Sequence, residues 1–340
     1  MLRCQCGIDV HAHVVPENFP AYIGSSMPAD WPSMAAAQPC HRSVMIAGKN
    51  YRTISDHCWT PSKRIADFAE LGLRLQAISP MPELLSYWMK PLDAQQLLRY
   101  TNDQIASMVN ESNGQLTGLG AVPLQDINLA IKELEYCVNT LGFSGVELGS
   151  NINGIAIGDI QFDPFFEACE ALNAAVFVHA IRPNMDRISG PTQLQQVLGY
   201  SSDIGLAAAS AITSNLIVRR PKLRIAFSHG GGTLSALLPR LEQGYKCFPA
   251  LKESLSASPL EQARKLYFDT LVFDSKTLKH ITDLFGSNQL MVGTDYPFNF
   301  SERAPVAALQ AAGLDQTMID QISFKNAERF LNYHPKADTV

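Results

Sequence analysis

Two histidines one residue apart, His11 and His13 in Ile8-Asp9-Val10-His11-Ala12-His13, are the first residues whose types and spacing could do chemistry. On an extended backbone, residues i and i+2 project to the same side, so both imidazoles converge on one point. Imidazole suits zinc and other first-row divalent ions. A buried strand ending in this pair would deliver two nitrogen ligands at its C-terminal mouth. Taken alone, the pair reads equally as two surface histidines after a strand.

Three further residues share that placement. His179 ends Val176-Phe177-Val178, His229 follows the run Leu223 to Phe227, and Asp295 follows Gln289 to Val292. Each has an ordinary reading of its own. A lone buried histidine is usually a core residue hydrogen-bonded to backbone. His229-Gly230-Gly231-Gly232 could be a plain turn, and Asp295 a helix cap. Their common position at strand ends favours one pocket. Three imidazoles and a carboxylate complete a ligand set for a divalent ion and leave coordination room for water.

The elements that must position these residues recur along the chain. Eight short β-rich apolar runs, Gly7 to Val10, Leu73 to Ile78, Leu116 to Val122, Gly145 to Leu148, Ala175 to Val178, Leu223 to Phe227, Lys265 to Leu271 and Gln289 to Val292, alternate with longer segments of helical pattern. Alternating βα units argue for a parallel sheet, and eight of them suit a closed barrel. The predicted fold is α/β, a distorted (β/α)8 TIM barrel forming one domain over residues 1–340. In a barrel the C-terminal strand ends ring one mouth, where all five polar residues would meet. Helix boundaries are legible too: Asp126 opens Ile127 to Leu141 with Gly142 beyond, and similar punctuation stands at Asp163-Pro164 and Leu284-Phe285-Gly286. Residues of about 14–60, rich in Pro, Gly, Ser and Met, break the rhythm, with weak strand character only around Ser43 to Ile54. This stretch reads as an insertion after strand one, a lid over the mouth.

Composition narrows the classes. Hydrophobic residues make up 46%, charged residues 17%, and the formal charge is -5. Such a balance gives nucleic acid little reason to bind, while leaving room for a small anion held by a few focused arginines. Seven cysteines without paired spacing read as reduced thiols, Cys4 and Cys6 as packing rather than ligand residues. No stretch reaches the ~18 apolar residues of a membrane span, and no signal-like segment opens the chain, so a cytoplasmic location is expected.

Together these residues resemble the amidohydrolase superfamily, and within it the branch of metal-dependent decarboxylases typified by 2-amino-3-carboxymuconate 6-semialdehyde decarboxylase. The resemblance runs through Asp9-Val10-His11-Ala12-His13, Gly48-Lys49-Asn50-Tyr51-Arg52, Trp59-Thr60-Pro61, Val122-Pro123-Leu124-Gln125-Asp126, Val178-His179, His229-Gly230-Gly231-Gly232 and Gly293-Thr294-Asp295-Tyr296-Pro297-Phe298. It implies that His11, His13, His179 and Asp295 bind a divalent metal, usually zinc, and that His229 is the catalytic base that activates a metal-bound water. It also implies that Arg52 holds a substrate carboxylate. Arg240, in Leu237-Leu238-Pro239-Arg240, would reach the neighbouring subunit's site, so that a homodimer completes each pocket. Guanidinium forks pair bidentately with carboxylates, which suits both assignments.

One departure bears on the substrate. The family typically continues with Pro-Trp after the third histidine, where this chain has Ala180-Ile181-Arg182-Pro183. An aromatic wall is lost, and Arg182 is expected to offer an additional anion contact. The function expected is metal-dependent, nonoxidative decarboxylation of a small unsaturated or aromatic carboxylic acid. Two rivals are a hydrolase acting on a lactone, amide or similar carbonyl with the same metal and water, and a catalytically silent metal-binding protein on the same fold.

Overall fold

The computed structural model describes residues 6–334. Eight parallel strands form one sheet: β1 (Gly7–Val14), β5 (Leu73–Pro80), β6 (Leu116–Ala121), β7 (Gly145–Gly149), β10 (Ala175–His179), β11 (Arg224–Phe227), β12 (Tyr267–Asp269) and β13 (Leu290–Met291), hydrogen-bonded in that order. The ring returns to its first strand through backbone bonds. Val10 N donates to Val292 O at 2.9 Å, and His13 N donates to Tyr296 O at 2.7 Å. The eight expected runs are the eight barrel strands. They are legible because parallel strands, covered on both faces, read as nearly unbroken apolar runs.

Between β1 and β5 the chain builds a separate antiparallel sheet of β2 (Ser33–Ala36), β3 (His41–Ile46) and β4 (Lys49–Ser55). A small hairpin, β8 (Asn151–Ile152) with β9 (Ile155–Ala156), follows β7. The helix Ile127–Glu135 begins as expected at Asp126, whose carboxylate accepts from Leu129 N at 3.0 Å. That bond satisfies one of the otherwise unpaired amides of the first turn. No helix among the described residues is long and apolar enough to cross a membrane.

Two apolar layers hold the barrel. Ile8, Val10, Leu75, Ala77, Leu119, Phe177 and Met291 pack with Phe330 and Leu331 in one cluster, while Ala12, Val14, Ile78, Leu148 and Val178 pack in the other, against the helices. The first strand changes phase between them. Pairing with β5 advances three residues from Asp9 to Ala12 against two from Gln76 to Ile78, a β-bulge. A one-residue slip exchanges the faces of a strand. Before the bulge the even-numbered residues pack with the first cluster. After it, Ala12 and Val14 pack with the second, and His11 and His13 share the opposite face.

Candidate metal centre

His11, His13, His179 and Asp295 each offer one ligand atom, and these atoms all lie within 4.8 Å of one another. Backbone geometry brings them there. His11 lies within the bulge of β1 and His13 just after it, and His179 ends β10. Asp295 is placed beside β1 by its own N–H, which donates to His11 O at 2.9 Å. Its φ of +62° lies in the left-handed region, which Asp tolerates better than most residues.

Hydrogen bonds to the other ring nitrogen aim each imidazole. His11 Nδ1 lies 2.6 Å from Asp269 Oδ2, His13 Nδ1 3.1 Å from Pro80 O, and His179 Nδ1 2.8 Å from Ala180 O. All three Nδ1 atoms are therefore occupied as donors, leaving three Nε2 lone pairs directed at a common point. His11 Nε2 and His13 Nε2 are 3.2 Å apart, and Asp295 Oδ1 is 3.1 Å from His13 Nε2. His179 Nε2 is buried without a hydrogen-bond partner. An orphaned buried nitrogen beside two converging ones fits a cation. Zinc bonds of 2.0–2.1 Å in tetrahedral geometry separate ligand atoms by roughly 3.3 Å, the scale of the closest pairs here.

Burial and the neighbouring carboxylates act differently on the members of the group. Burial lowers the pKa of His13, and lowers that of His179 well below the usual histidine range. Burial also opposes charge on His11, but the hydrogen bond and charge of Asp269 outweigh it and raise that pKa to about 9. Burial opposes the Asp295 carboxylate too, yet the His13 hydrogen bond and nearby imidazoles hold it below the usual range. Metal binding displaces a proton from such a site, since the ligands must be unprotonated.

His229 stands beside this group, its ring 4.9 Å from His179 and 5.3 Å from His11. Its Nδ1 lies 2.9 Å from Ser228 Oγ. Burial and the neighbouring His11 lower its pKa to about 4, so the imidazole is neutral at pH 7. His229 has φ +54° and is followed by three glycines of positive φ. A Cβ at Gly232 would lie 2.0 Å from Ser201 O, so this tight turn requires glycine there.

A cavity of about 710 Å³ opens over the group and is lined by His179, His229, Asp295, Arg52, Tyr51, Tyr200 and Phe298 among others. Arg52 comes from β4, so the inserted sheet supplies part of the wall. The Arg52 guanidinium carbon is 4.2 Å from the Phe298 ring centre, and that ring stacks on His13 at 5.6 Å. Arg240 is exposed on the helix Leu234–Cys247 and does not line this chain's cavity.

Arg182 departs from expectation. Its guanidinium bonds to Glu83 Oε1 at 2.6 Å and lies 3.1 Å from the Trp88 ring centre. It lines a separate cavity of about 500 Å³ rather than the one over the metal group. Glu83 and Trp88 are its partners in this structure. Cys6 is not part of the ligand group, and Cys4 lies outside the described residues.

Several supporting residues escaped the sequence reading. Asp269 holds His11, and its other oxygen accepts Gly230 N at 2.8 Å. Its place as the one acidic residue within the seventh run, Lys265 to Leu271, was the available signal. Buried Asp9 accepts from Gln76 Nε2 at 2.8 Å, Thr294 Oγ1 at 2.6 Å and His11 N at 3.0 Å, tying β1 to both neighbours. Glu147 lies 3.6 Å from His13, and burial pushes its pKa up to about 8. Buried Arg64 donates to His13 O at 2.9 Å and to His57 O at 2.8 Å.

Comparison with known proteins agrees with the geometry. The amidohydrolase family model matches residues 8–333. The 2-amino-3-carboxymuconate-6-semialdehyde decarboxylase of Dictyostelium discoideum is 34% identical over 331 residues, covering 96% of this chain and 92% of that protein. The apo crystal structure of Metarhizium anisopliae IDCase superposes with a TM-score of 0.82 at 21% identity, covering 98% of both chains. A dihydroxybenzoic acid decarboxylase from Polaromonas sp. JS666, solved with bound manganese and the inhibitor 2-nitroresorcinol, gives 0.75 at 20% identity, again with 98% of both chains covered. The chain belongs to the amidohydrolase family, in the branch that holds the 2-amino-3-carboxymuconate-6-semialdehyde decarboxylases.

Proposed function

We propose that this protein is a divalent-metal-dependent, nonoxidative decarboxylase of a small aromatic or unsaturated carboxylic acid. The observation that carries the reading is the juxtaposition of a four-ligand group, a neutral His229 and Arg52 around one cavity. Membership of the decarboxylase branch supports it. His11, His13, His179 and Asp295 are the metal ligands, and zinc suits a three-imidazole, one-carboxylate set.

A divalent cation held there would supply Lewis acidity, drawing electron density from the bound substrate. The residues of the chain do the rest. Arg52 takes a substrate carboxylate, with Phe298 beneath its guanidinium to hold the fork in place. The substrate carbon that bears the departing carboxylate first takes a proton; the carbon–carbon bond then breaks, its electron pair restores the conjugated system, and carbon dioxide leaves. His229 moves that proton, its ring held by the contact of Nδ1 with Ser228 Oγ.

The whole chain acts as one catalytic unit, with residues of about 14–60 as its lid; Tyr51 and Arg52 in the cavity wall support this. Arg240 serves the partner's site in a homodimer, which accords with its exposure and its absence from this chain's cavity. Carbon dioxide release from a panel of aromatic and muconate-like acids by the zinc-loaded protein, with His229→Ala as control, tests the function. Release by wild type alone is expected. Hydrolysis of lactones or amides without carbon dioxide release would replace this reading with the hydrolase one.

A further inference from the structure

Arg64 is a complete guanidinium shut inside the protein, with none of its surface exposed. It stands in the helix Pro61–Ala66, just beyond the inserted sheet. Burying a cation is costly unless it is paired. Among the described residues, its hydrogen bonds go to an amide and two carbonyls and none to a carboxylate. Nε donates to Gln76 Oε1 at 3.1 Å, and Gln76 Nε2 donates in turn to Asp9 at 2.8 Å. The charge is balanced at one remove, through the amide.

The other two bonds join separate parts of the chain. Nη1 donates to His13 O at 2.9 Å and to His57 O at 2.8 Å. The first acceptor is the backbone of a candidate metal ligand on β1. The second lies in the single turn Asp56–Cys58, which directly follows β4, the strand of Arg52. The guanidinium carbon also lies 4.8 Å from the ring centre of Tyr296, the neighbour of Asp295. Beside this bridge, the direct backbone link from Val15 N to Cys58 O is longer, at 3.3 Å. Val44 and Ile54 of the inserted sheet pack with Val15, Cys58, Met81 and Phe298. Such apolar contact holds the sheet down, but it is non-directional.

Resting on the reading that Arg52 holds a substrate carboxylate, we propose that Arg64 is a positioning residue, whose Nη1 clasp on His13 O and His57 O sets where Arg52 stands relative to the metal ligands. Arg64 does not line the cavity, so it acts through β4. A short, rigid acid can reach the metal and its carboxylate anchor together only if the two are held at one separation, and a misplacement of about 1 Å is enough to impair catalysis. The clasp also gives the buried charge a purpose. An apolar side chain of similar size would avoid the desolvation cost, but it could not join two carbonyls.

Equilibrium binding of benzoate to zinc-saturated protein, in a double-mutant cycle of Arg64→Met and Arg52→Ala, tests this. Met keeps most of the stem and removes the donors. Arg64→Met is expected to weaken benzoate about tenfold, the scale of one hydrogen bond to a charged group. Arg52→Ala should weaken it at least as much. The double variant should be no weaker than Arg52→Ala alone, because the clasp then has nothing left to position. Amide hydrogen exchange in β4 should quicken in Arg64→Met while β10 exchanges as in wild type. Arg64→Lys keeps the charge and a donor; it should restore part of both readouts, and it carries the cycle if Arg64→Met does not fold. Equal weakening by Arg64→Met with and without Arg52, unchanged exchange in β4, or faster exchange throughout the barrel would overturn the proposal. If Arg52→Ala binds benzoate as wild type does, the carboxylate role of Arg52 is what fails, and exchange in β4 alone decides whether the clasp holds the sheet.

Discussion

Asp269 and His11 are joined by a 2.6 Å contact between carboxylate and Nδ1, both side chains wholly buried. The same carboxylate accepts Gly230 N at 2.8 Å and Leu271 N at 3.1 Å. One acidic group thus fixes the orientation of a candidate metal ligand and anchors the turn that carries His229. Burial works against its charge, but the His11 bond and the surrounding histidines hold its pKa below the usual carboxylate range.

Replacing Asp269 should therefore injure two functions at once. Asp269→Asn keeps the shape and removes the charge that sets the His11 tautomer. Loss of such an outer partner typically costs 10–100-fold in metal affinity, and we expect that loss in a zinc competition titration. Turnover should fall further than metal loss explains, measured at saturating zinc, because the His229 turn is also loosened. Unchanged zinc affinity in Asp269→Asn would show that the two backbone amides alone fix this carboxylate's role.

His229 and the ligand residues should separate cleanly. His229→Ala is expected to retain the metal, since its imidazole is not among the four converging ligand atoms. Its kcat should drop by about 10²–10⁴-fold, the range for a general acid or base. His179→Ala and Asp295→Ala should instead release the metal. Metal analysis of the purified variants beside carbon dioxide assays distinguishes the two classes, and full activity in His229→Ala would remove it from the mechanism.

The barrel and the ligand residues were legible because they obey local rules: a two-residue period for His11 and His13, and apolar runs that stop at polar residues. What escaped depends on partners distant in sequence. The bulge in β1 exists only as a mismatch in count against β5, so the switch from Val10 to His11 as the face-defining residue leaves no trace in the chain. Ser33–Ala36, Ser-Met-Ala-Ala, has little strand character of its own and is extended because it pairs with β3. Arg182 reads as a free cation until Glu83, 99 positions away, captures it. Asp269 lay inside the run Lys265 to Leu271, so unlike His179 it did not mark where an apolar run stops.

Away from the site, Asp163 makes a pH-dependent contribution to stability. It starts the helix Asp163–Ala171 and pairs with Arg219 Nε at 3.0 Å and with Arg220. Burial alone would raise its pKa, but the hydrogen bonds from Arg220 and Arg219 outweigh it and lower the value from 3.8. A depressed folded-state pKa gives stability that is present above the unfolded value and lost as pH falls through the folded one. Asp163→Asn should lower Tm by about 2–4 °C at pH 7. The gap from wild type should close as the pH drops below 3.8. A gap of constant size across that window, followed by calorimetry, would show that the arginines stabilise through packing rather than charge.

Arg240 supplies the test of a shared site. Exposed and outside its own cavity, it can act only on another copy if it binds substrate at all. In the proposed homodimer, Arg240→Ala and His229→Ala should each be nearly inactive. Unfolding and refolding them together lets a mixed dimer form with one site that has both His229 and the partner's arginine. Random pairing makes half the dimers mixed, each with one good site of two, so about a quarter of wild-type activity should return. Recovery of that size would establish the site as composite. If Arg240→Ala alone keeps wild-type kcat/KM, the arginine is a surface residue and each cavity is complete within one chain.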